Sequence, residues 1–509
     1  MADSKREIER KYEATAETRL PDLSRVAGVS AVAHRGVSEL DAVYYDTEDL
    51  RLVAGSLTLR RRTGGSDAGW HLKFPVASGI RDEFREPLSD TLPSSLAGLL
   101  RSRVRMSELV PVVRLRTARD VHHLLDAEGA LLAEVSIDTA RAERLTGGSG
   151  TAAWTEIEVE LADDGDPALL DAVERRLRKA GVHLSASPSK LARALAETAP
   201  ERKRKRDKGA RGKGQPTAGD HVLAYIRHQT EAIVALDPAV RRDLPDSVHQ
   251  MRVATRRLRS ALRTYRKILD RSVTDPVGDE LKWLAAELGI DRDQEVLDAR
   301  LRCGLAELPR TLILGPVRSR LRIWSVARRG GSRRRTVAVL DGKRYLALLE
   351  SLDALLAAPP LLPAASHAPE QALPRAVLKE YGRLATRVGH ALELQPGHDR
   401  DLAMHDARKA AKRARYAAEA AQPALGKPAE RIAKRMKTVQ TLLGDHQDSV
   451  VARDALRALA VQAHAAGEPA FTWGLLYGRE EAAAAAQERE MPQVWERASQ
   501  PRVRAALEG

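Results

Sequence analysis

The spacing of apolar residues changes once along this chain, at a basic segment over 201–218 that reads ERKRKRDKGARGKGQPTA. Before this segment, runs such as SLTLRRRT and AWTEIEVEL alternate apolar and polar residues, which is the period of a half-buried strand. After it, apolar residues recur every three or four positions, as in RIAKRMKTVQTLLGD, which is the period of an amphipathic helix. The pattern predicts a strand-rich domain over 1–200, an extended linker over 201–218 and an all-helical domain over 219–509. The fold class is α+β.

In the first domain, about eight strand-like runs follow one another at short intervals, separated by Gly, Pro, Asp and Ser clusters. Two helical segments interrupt them, near 93–106 and 167–180. Strands at such short spacing favour an antiparallel sheet or barrel with flanking helices.

The helical domain repeats itself with an offset of 155 or 156 residues. Residues His249, Arg252, Arg256, Arg257 and Arg259 recur as His405, Arg408, Lys412, Arg413 and Arg415. Residues Lys282, Leu288, Gly289, Asp293 and Val296 recur as Lys437, Leu443, Gly444, Asp448 and Val451. The matches predict two copies of one helical unit, over about 219–356 and 373–509, separated by a Pro-rich stretch.

Charge and cysteine content exclude several classes of protein. The net charge of +14 is uneven, with −4 over 1–200 and +12 over 219–509. A single cysteine, Cys303, excludes an intramolecular disulfide and a cysteine zinc cage. The beginning MADSKREIERKYE has no apolar core of a signal peptide, and no window is long and apolar enough to span a bilayer. We therefore expect a cytoplasmic protein and no membrane partner.

Charged residues in the strand domain share faces at period two. Glu7, Glu9 and Lys11 lie on one side of their strand, and Glu156 and Glu158 lie on one side of a later one. Like charges this close repel unless ions or counter-charges lie between them. Facing inward in a barrel, the carboxylates would suit Mg²⁺ or Mn²⁺, and the Arg and Lys side chains would suit phosphate oxygens. A closed lumen favours a condensed phosphate over nucleic acid, because it cannot admit a duplex.

The repeated cations of the helical domain form stripes. Steps of three and four place His249, Arg252, Arg256, Arg259 and Arg263 along one helix face, and the second repeat has the same steps. A solvated face would explain either stripe alone, but the duplication favours a polyanion site. The histidines have no His or Cys partner four residues away, which argues against a metal site in this domain.

The strand domain resembles the CYTH family, the triphosphate tunnel metalloenzymes. The resemblance rests on the ExExK motif of Glu7–Lys11, followed in order by YYDT (44–47), LTLRRRT (57–63), WHLKFP (70–75), WTEIEVEL (154–161) and SPSK (187–190). It implies an antiparallel eight-stranded tunnel that binds a triphosphate with divalent metal. The implied metal ligands are Glu7, Glu9, Asp138, Glu156 and Glu158. The implied catalytic, phosphate-gripping residues are Lys11, Arg60, Arg62, Lys73, Arg119 and Lys190, with Arg114 and Arg116 as alternatives to Arg119; His71 has no assigned role.

The helical domain resembles the CHAD family. The segments that carry the resemblance are HQMRVATRRLRSALRTY, HDARKAAKRARYAAE, LGIDRDQEV and LGDHQDSVV. It implies two pseudo-symmetric four-helix bundles that bind inorganic polyphosphate in a basic groove. The implied polyphosphate-binding residues are His249, Arg252, Arg256, Arg259, Arg263, Arg292, His405, Arg408, Lys412, Arg413, Lys437 and His446.

Together the two resemblances predict a hydrolase of inorganic triphosphate with Mg²⁺ or Mn²⁺ as cofactor. The predicted partners are inorganic triphosphate and polyphosphate, and polyphosphate binding would associate the protein with polyphosphate granules. Three alternatives stay open: a non-catalytic polyphosphate-binding or targeting protein, a thiamine triphosphatase and an adenylate cyclase. Specific nucleic-acid binding has little support, because no stacking aromatic residues accompany the basic stripes. The sequence does not predict the oligomeric state.

Overall fold

The computed structural model describes residues 3–199, 215–329 and 332–508, and of the predicted linker it therefore describes only 215–218. The chain divides into two compact units between residues 213 and 214, one rich in strands and one entirely helical. The predicted fold class is confirmed.

The first unit is built on a closed antiparallel barrel. Its eight strands are β1 Asp3–Ala14, β2 Ala31–Asp46, β3 Thr58–Thr63, β4 Gly69–Ala77, β5 Ile80–Pro87, β6 Val110–Leu125, β7 Leu131–Arg144 and β8 Thr151–Leu161. Around the barrel they follow the order β1-β5-β4-β3-β2-β6-β7-β8, and β8 pairs again with β1. The ExExK strand β1 therefore lies between β5 and the EIEVE strand β8.

The barrel has its apolar face outside, where helices cover it. The helices of this unit are α1 Arg51–Ala54, α2 Ser94–Val104, α3 Ala168–Lys179 and α4 Lys190–Glu197. Two apolar clusters lie between the outer face of the wall and helices α2 and α3. A third packs α4 against residues on the inner face of the wall, such as Tyr44 and Ala140, next to the charged part of the lumen. In the cluster under α3, for example, Tyr12 and Val159 of the wall pack with Val173. Because strand side chains alternate, an apolar outer face leaves the charged face to line the lumen. Helices α2 and α3 lie where the sequence predicted them; α4, which follows the SPSK motif directly, was not predicted.

The second unit contains twelve helices in its described residues. They are α5 Ala218–Arg241, α6 Ser247–Thr264, α7 Arg271–Glu287, α8 Gly289–Ala306, α9 Val317–Arg329, α10 Ser332–Asp341, α11 Lys343–Ala357, α12 Pro369–Glu393, α13 His398–Leu425, α14 Lys427–Ala465, α15 Phe471–Ser499 and α16 Pro501–Glu508. Within the described ranges, every helix is too short or too polar to cross a bilayer.

The two sequence repeats share their hydrophobic cores. One apolar cluster joins residues of α5, α6 and α7 with residues of α12, α13 and α14, and a second joins α8 and α9 with the later part of α14 and α15. Helices α6 and α13, which carry the two cationic stripes, thus belong to one packed unit. In it Tyr265, which follows α6, donates a hydrogen bond to the carbonyl of Ala417 in α13.

The division into two units leads to a prediction about separability. Residues 1–200 and 219–509, produced as separate proteins, are each expected to fold, because each part has its own buried cores. Circular dichroism and thermal melting should give two transitions that add up to those of the intact chain. If either part is unfolded alone while the intact chain is folded, the units depend on each other and the predicted boundaries are wrong.

Candidate functional site

The lumen of the barrel is a narrow cavity lined by charged side chains. Nine of the eleven residues predicted for the tunnel line it: Glu7, Glu9, Lys11, Arg60, Arg62, Lys73, Arg119, Glu158 and Lys190. The other two, Asp138 and Glu156, are buried and directly opposite each other on β7 and β8. Strand alternation thus brings ten of the eleven residues to the inner face of the barrel wall, and helix α4 brings the eleventh, Lys190.

Three of the predicted metal ligands form a compact carboxylate cluster. Oxygen atoms of Asp138, Glu156 and Glu158 lie within 4.8 Å of one another, and all three residues are buried. An all-oxygen set of this kind fits hard divalent cations such as Mg²⁺ and Mn²⁺. Glu7 and Glu9 do not join the cluster: Glu7 Oε2 lies 2.5 Å from Lys73 Nζ, and Glu9 pairs with Lys11.

Lys190 is the cation that neutralises this cluster in the protein alone. Ser189 caps helix α4 by accepting a hydrogen bond from the backbone N–H of Ala192, which places Lys190 at the first helical position. Its Nζ lies 2.8 Å from Asp138 Oδ2, 2.8 Å from Glu156 Oε1 and 2.5 Å from Glu158 Oε1. Burial opposes the charged form of Lys190, but Asp138, Glu158 and Glu156 outweigh burial and raise its pKa.

Glu158 connects the carboxylate cluster to the other cations of the lumen. Besides Lys190, it contacts Lys11, and its Oε2 accepts a 2.7 Å hydrogen bond from Arg119. Burial raises the pKa of Glu158, but the attraction of Lys11, Lys190 and Arg119 is stronger and holds it well below its usual range. The carboxylate is therefore ionised and ready to act as a ligand.

Strand parity decides between Arg119 and its two alternatives on β6. Arg119 faces the lumen, where its guanidinium binds Asp138 at 2.7 and 2.9 Å. Arg114 and Arg116 have the opposite parity and lie near Asp41, away from the cavity lining. Arg119 is the lumen residue of the three.

The helical unit contains a basic groove of about 780 Å³ between the two stripes. Six of the predicted polyphosphate-binding residues line it: His249, Arg252, Arg256, His405, Arg408 and Lys412. The structure does not bring Arg259, Arg263, Arg413, Lys437 and His446 to this lining, and the side chain of Arg292 lies outside the described residues. Arg263 and Lys437 are exposed, outside the groove lining. His446 is fully buried between helices.

The repeated glycine and aspartate of the LG motifs hold the stripe arginines in place. Arg252 Nη1 donates a 2.7 Å hydrogen bond to Asp293, and Arg408 lies 3.6 Å from Asp448 at the equivalent position. A Cβ on Gly289 would come within 3.0 Å of the Arg252 guanidinium. A side chain at Gly289 would therefore push the guanidinium of Arg252 away, whereas a Cβ at Gly444 would stand in ordinary contact with Arg408, at 3.4 Å.

The groove concentrates positive charge without matching acceptors. The Nε atoms of Arg252 and Arg408 are buried and have no hydrogen-bond acceptor among the described residues. Burial, together with the charges of Arg256, Arg408 and Arg252, lowers the pKa of Lys412 to about 6. Buried N–H donors without acceptors, set among several like charges, are chemically suited to an anion.

Two family models match this chain, one in each of the two units. A CYTH domain matches residues 5–195 and a CHAD domain matches residues 224–457. The chain is also 39% identical over 494 residues to uncharacterized proteins from two strains of Mycobacterium tuberculosis, covering 93% of this chain and 92% of each relative. The chain belongs to the CYTH–CHAD proteins. CYTH domains form a metal-dependent family that binds triphosphate substrates.

Solved structures similar to this CYTH–CHAD protein include PptA from Streptomyces chartreusis and the CHAD domain from the plant Ricinus communis. PptA is 23% identical, with a TM-score of 0.47 over 55% of this chain and 100% of that one. The Ricinus domain is 24% identical, with a TM-score of 0.40 over 58% of this chain and 92% of that one.

The CYTH lumen also contains charged residues to which the sequence analysis gave no role. Glu83 is fully buried, with Lys73 Nζ at 3.5 Å and an Arg60 Nη at 3.7 Å. His71, left unassigned, places its Nδ1 2.9 Å from Glu83 and its Nε2 2.8 Å from the carbonyl of Asp67. Arg81 and Arg85, on either side of Glu83, line the cavity. Their period-two spacing was the signal that could have identified them.

Proposed function

We propose that this CYTH–CHAD protein hydrolyses inorganic triphosphate in its tunnel, with Mg²⁺ or Mn²⁺, and binds inorganic polyphosphate in its helical groove. The observation that carries the first half is a closed lumen in which a carboxylate cluster lies among eight cations. Those cations are Lys11, Arg60, Arg62, Lys73, Arg81, Arg85, Arg119 and Lys190. A linear triphosphate is a small polyanion whose charge such a lumen can surround on all sides.

The carboxylates Asp138, Glu156 and Glu158 would hold the divalent metal, with Glu7 and Glu9 close to the same lumen. When bound, the metal would neutralise negative charge on the phosphate oxygens and polarise a water molecule for attack on phosphorus. Lys190 contacts all three carboxylates in the protein alone, so its ammonium is free to turn to a phosphate oxygen once another cation takes its place. The arginines stabilise the negative charge of the transition state from fixed positions on the strands.

The lining of the cavity favours a bare phosphate chain. Among the described residues of that lining, Tyr44 is the only aromatic, and its hydroxyl interacts with the guanidinium of Arg60. A thiamine or adenine ring would therefore find no free aromatic face on which to stack. This supports triphosphate over thiamine triphosphate and ATP as substrate.

Phosphate release from triphosphate, thiamine triphosphate, ATP and long polyphosphate tests the catalytic proposal. With Mg²⁺ or Mn²⁺, triphosphate is expected to be hydrolysed fastest, and a chelator is expected to abolish turnover because the carboxylate cluster then has no ion. Release from none of the four substrates would contradict the enzyme and leave a binding protein. Fastest release from thiamine triphosphate, or cyclisation of ATP, would assign the tunnel to another activity.

The groove supports polyphosphate binding through two equivalent sets of cations on α6 and α13. Arg252 and Arg408 each present a buried Nε–H to the groove, and each is held by an aspartate of its LG motif. A repeating polyanion matches a repeated set of donors spaced along two helices. The oxygen atoms of a phosphate group would accept hydrogen bonds from those donors. Their negative charge would also separate the like charges around Lys412.

The pKa of Lys412 predicts how this binding depends on pH. Lys412 is surrounded by Arg252, Arg256 and Arg408, with Asp448 as the nearby acid. In the free groove its pKa is about 6, and bound phosphate would raise it, so binding takes up a proton above pH 6. We expect polyphosphate affinity to fall by up to about tenfold per pH unit between pH 6.5 and 8.5.

Titration calorimetry at several pH values measures this slope. Lys412→Met is expected to remove most of it, whereas Lys409→Met, which changes an exposed lysine of the same groove, is expected to retain it. An equal slope in the Lys412→Met protein would contradict the assignment of the proton to Lys412.

A further inference from the structure

We infer that the CHAD domain holds a divalent transition-metal ion between Asp401 of α13, His446 of α14 and Glu488 of α15. This site is separate from both the tunnel and the basic groove, and does not depend on the proposed function. Along the chain, His446 has no His or Cys partner four residues away. The partners of His446 lie more than forty residues away on other helices and become neighbours only in the folded domain.

The distances between the three side chains match a metal site. His446 Nε2 lies 3.2 Å from Asp401 Oδ1 and 3.4 Å from Glu488 Oε1. The three ligand atoms all lie within 4.8 Å of one another. A tetrahedral ion with bonds of about 2.0–2.1 Å requires neighbouring ligand atoms about 3.3 Å apart. The side chains therefore need little movement to accept the ion.

Hydrogen bonding alone does not account for this arrangement. His446 Nε2 can carry only one proton, yet two carboxylate oxygens converge on it, and the contact with Glu488 is long for a hydrogen bond at 3.4 Å. The imidazole is buried, and its Nδ1 has no hydrogen-bond partner among the described residues. The position of the ring is thus set by the side that faces the carboxylates. A dication there would satisfy all three ligand atoms at once.

Two arginines complete the outer part of the site. Arg453 Nη2 donates a 2.8 Å hydrogen bond to Asp401 Oδ2, and Arg400 Nη1 lies 3.4 Å from Glu488 Oε2. Each arginine engages the carboxylate oxygen that points away from His446 and leaves the other oxygen for the ion. Outer groups that orient metal-binding carboxylates in this way are a regular part of protein metal sites.

The ligand set and its access define the class of metal. Asp401 and Glu488 line a cavity of about 510 Å³ next to the cluster, which provides an entry path and room for a water ligand. One imidazole nitrogen with two carboxylates suits Zn²⁺, Mn²⁺ or Fe²⁺ better than Mg²⁺ or Ca²⁺. Because the ligands come from three helices, the ion would cross-link α13, α14 and α15.

Visible absorption of the full chain titrated with Co²⁺ tests the site, because a low-coordinate Co²⁺ bound by nitrogen absorbs far more strongly than one bound only by six oxygens. The wild type is expected to develop this band and to melt at a higher temperature with Zn²⁺. His446→Gln is expected to lose both effects. Asp401→Asn and Glu488→Gln, which keep shape, are expected to bind at least about tenfold more weakly.

Two matched controls separate this site from others in the same protein. Asp120, His34 and His122 form a second histidine–carboxylate group on the barrel surface, so His122→Ala is expected to keep the band. The tunnel variant Glu158→Gln is also expected to keep it. A band that survives in His446→Gln, or is lost only in His122→Ala, overturns the proposal, as does the absence of any band in the wild type. If His446→Gln does not fold, as judged by circular dichroism, the two isosteric variants decide.

Discussion

Glu158→Gln is expected to lower kcat/KM for triphosphate hydrolysis by at least about a hundredfold. Glu158 is the carboxylate that contacts Lys11, Lys190 and Arg119 together and forms part of the proposed metal cluster. The amide has the same shape but no charge, so it binds a hard dication weakly and leaves the three cations without their common partner. Phosphate release with saturating Mn²⁺ is the measurement.

A carboxylate outside the lumen provides the control for this prediction. Glu174 is largely buried and accepts a 2.7 Å hydrogen bond from Arg10 on the outer face of the barrel, so Glu174→Gln removes a comparable charge without touching the cavity. It is expected to retain activity. Glu9→Gln, a second lumen variant, is expected to lose activity as Glu158→Gln does. Full activity in both lumen variants, with normal melting curves, would show that the carboxylates do not serve the reaction.

The combined change Arg252→Ala, Arg256→Ala and Arg408→Ala is expected to weaken polyphosphate binding by about a hundredfold or more. Each of the three guanidiniums is proposed to give a charge-assisted hydrogen bond to phosphate, worth about 1 kcal/mol or more. The dependence of affinity on salt should also become less steep, because fewer counterions are released on binding. Triphosphate turnover, which belongs to the other domain, is expected to remain unchanged.

A second triple variant with the same loss of charge tests whether position matters. Arg227, Arg310 and Arg318 are exposed residues of the helical domain outside the groove lining, and their replacement by alanine is expected to change binding little. Equal weakening in both triple variants would mean that net charge alone attracts polyphosphate. Unchanged affinity in the groove variant, with helix content intact by circular dichroism, would mean that the stripes are ordinary solvated faces.

Local patterning was sufficient to predict the barrel interior. Glu7, Glu9 and Lys11 face the lumen because side chains of a strand alternate, and the same rule carries Arg60 and Arg62 inward. Strand alternation also predicts that Glu83 faces the lumen, because its neighbours two residues away are charged. It does not predict that cationic side chains from other strands would bury this carboxylate completely. Periodicity reports on which face a residue occupies and not on which residues it meets across the barrel.

In the helical domain, the sequence pattern predicted the cationic stripes but not the extent of the groove. The stripes on α6 and α13 were visible as steps of three and four, and their first positions, including Arg252 and Arg408, do line one groove. A stripe on a helix continues past the end of the groove, however, so Arg263 lies outside it. Where a groove ends depends on the helices that pack beside it, which local spacing does not encode.

The strand and helix periods, the repeat and the order of motifs were properties of neighbours along the chain, and the sequence was enough to establish them. The sequence left three candidates on β6 for the lumen arginine: Arg114, Arg116 and Arg119. Only the closed barrel shows which side chains of β6 face inward, and Arg119 is the one that does. The surroundings of His446 required the tertiary structure entirely, because Asp401 and Glu488 reach it from two other helices. Contacts between distant segments arise when apolar faces pack together, and that packing decides which polar groups are buried side by side.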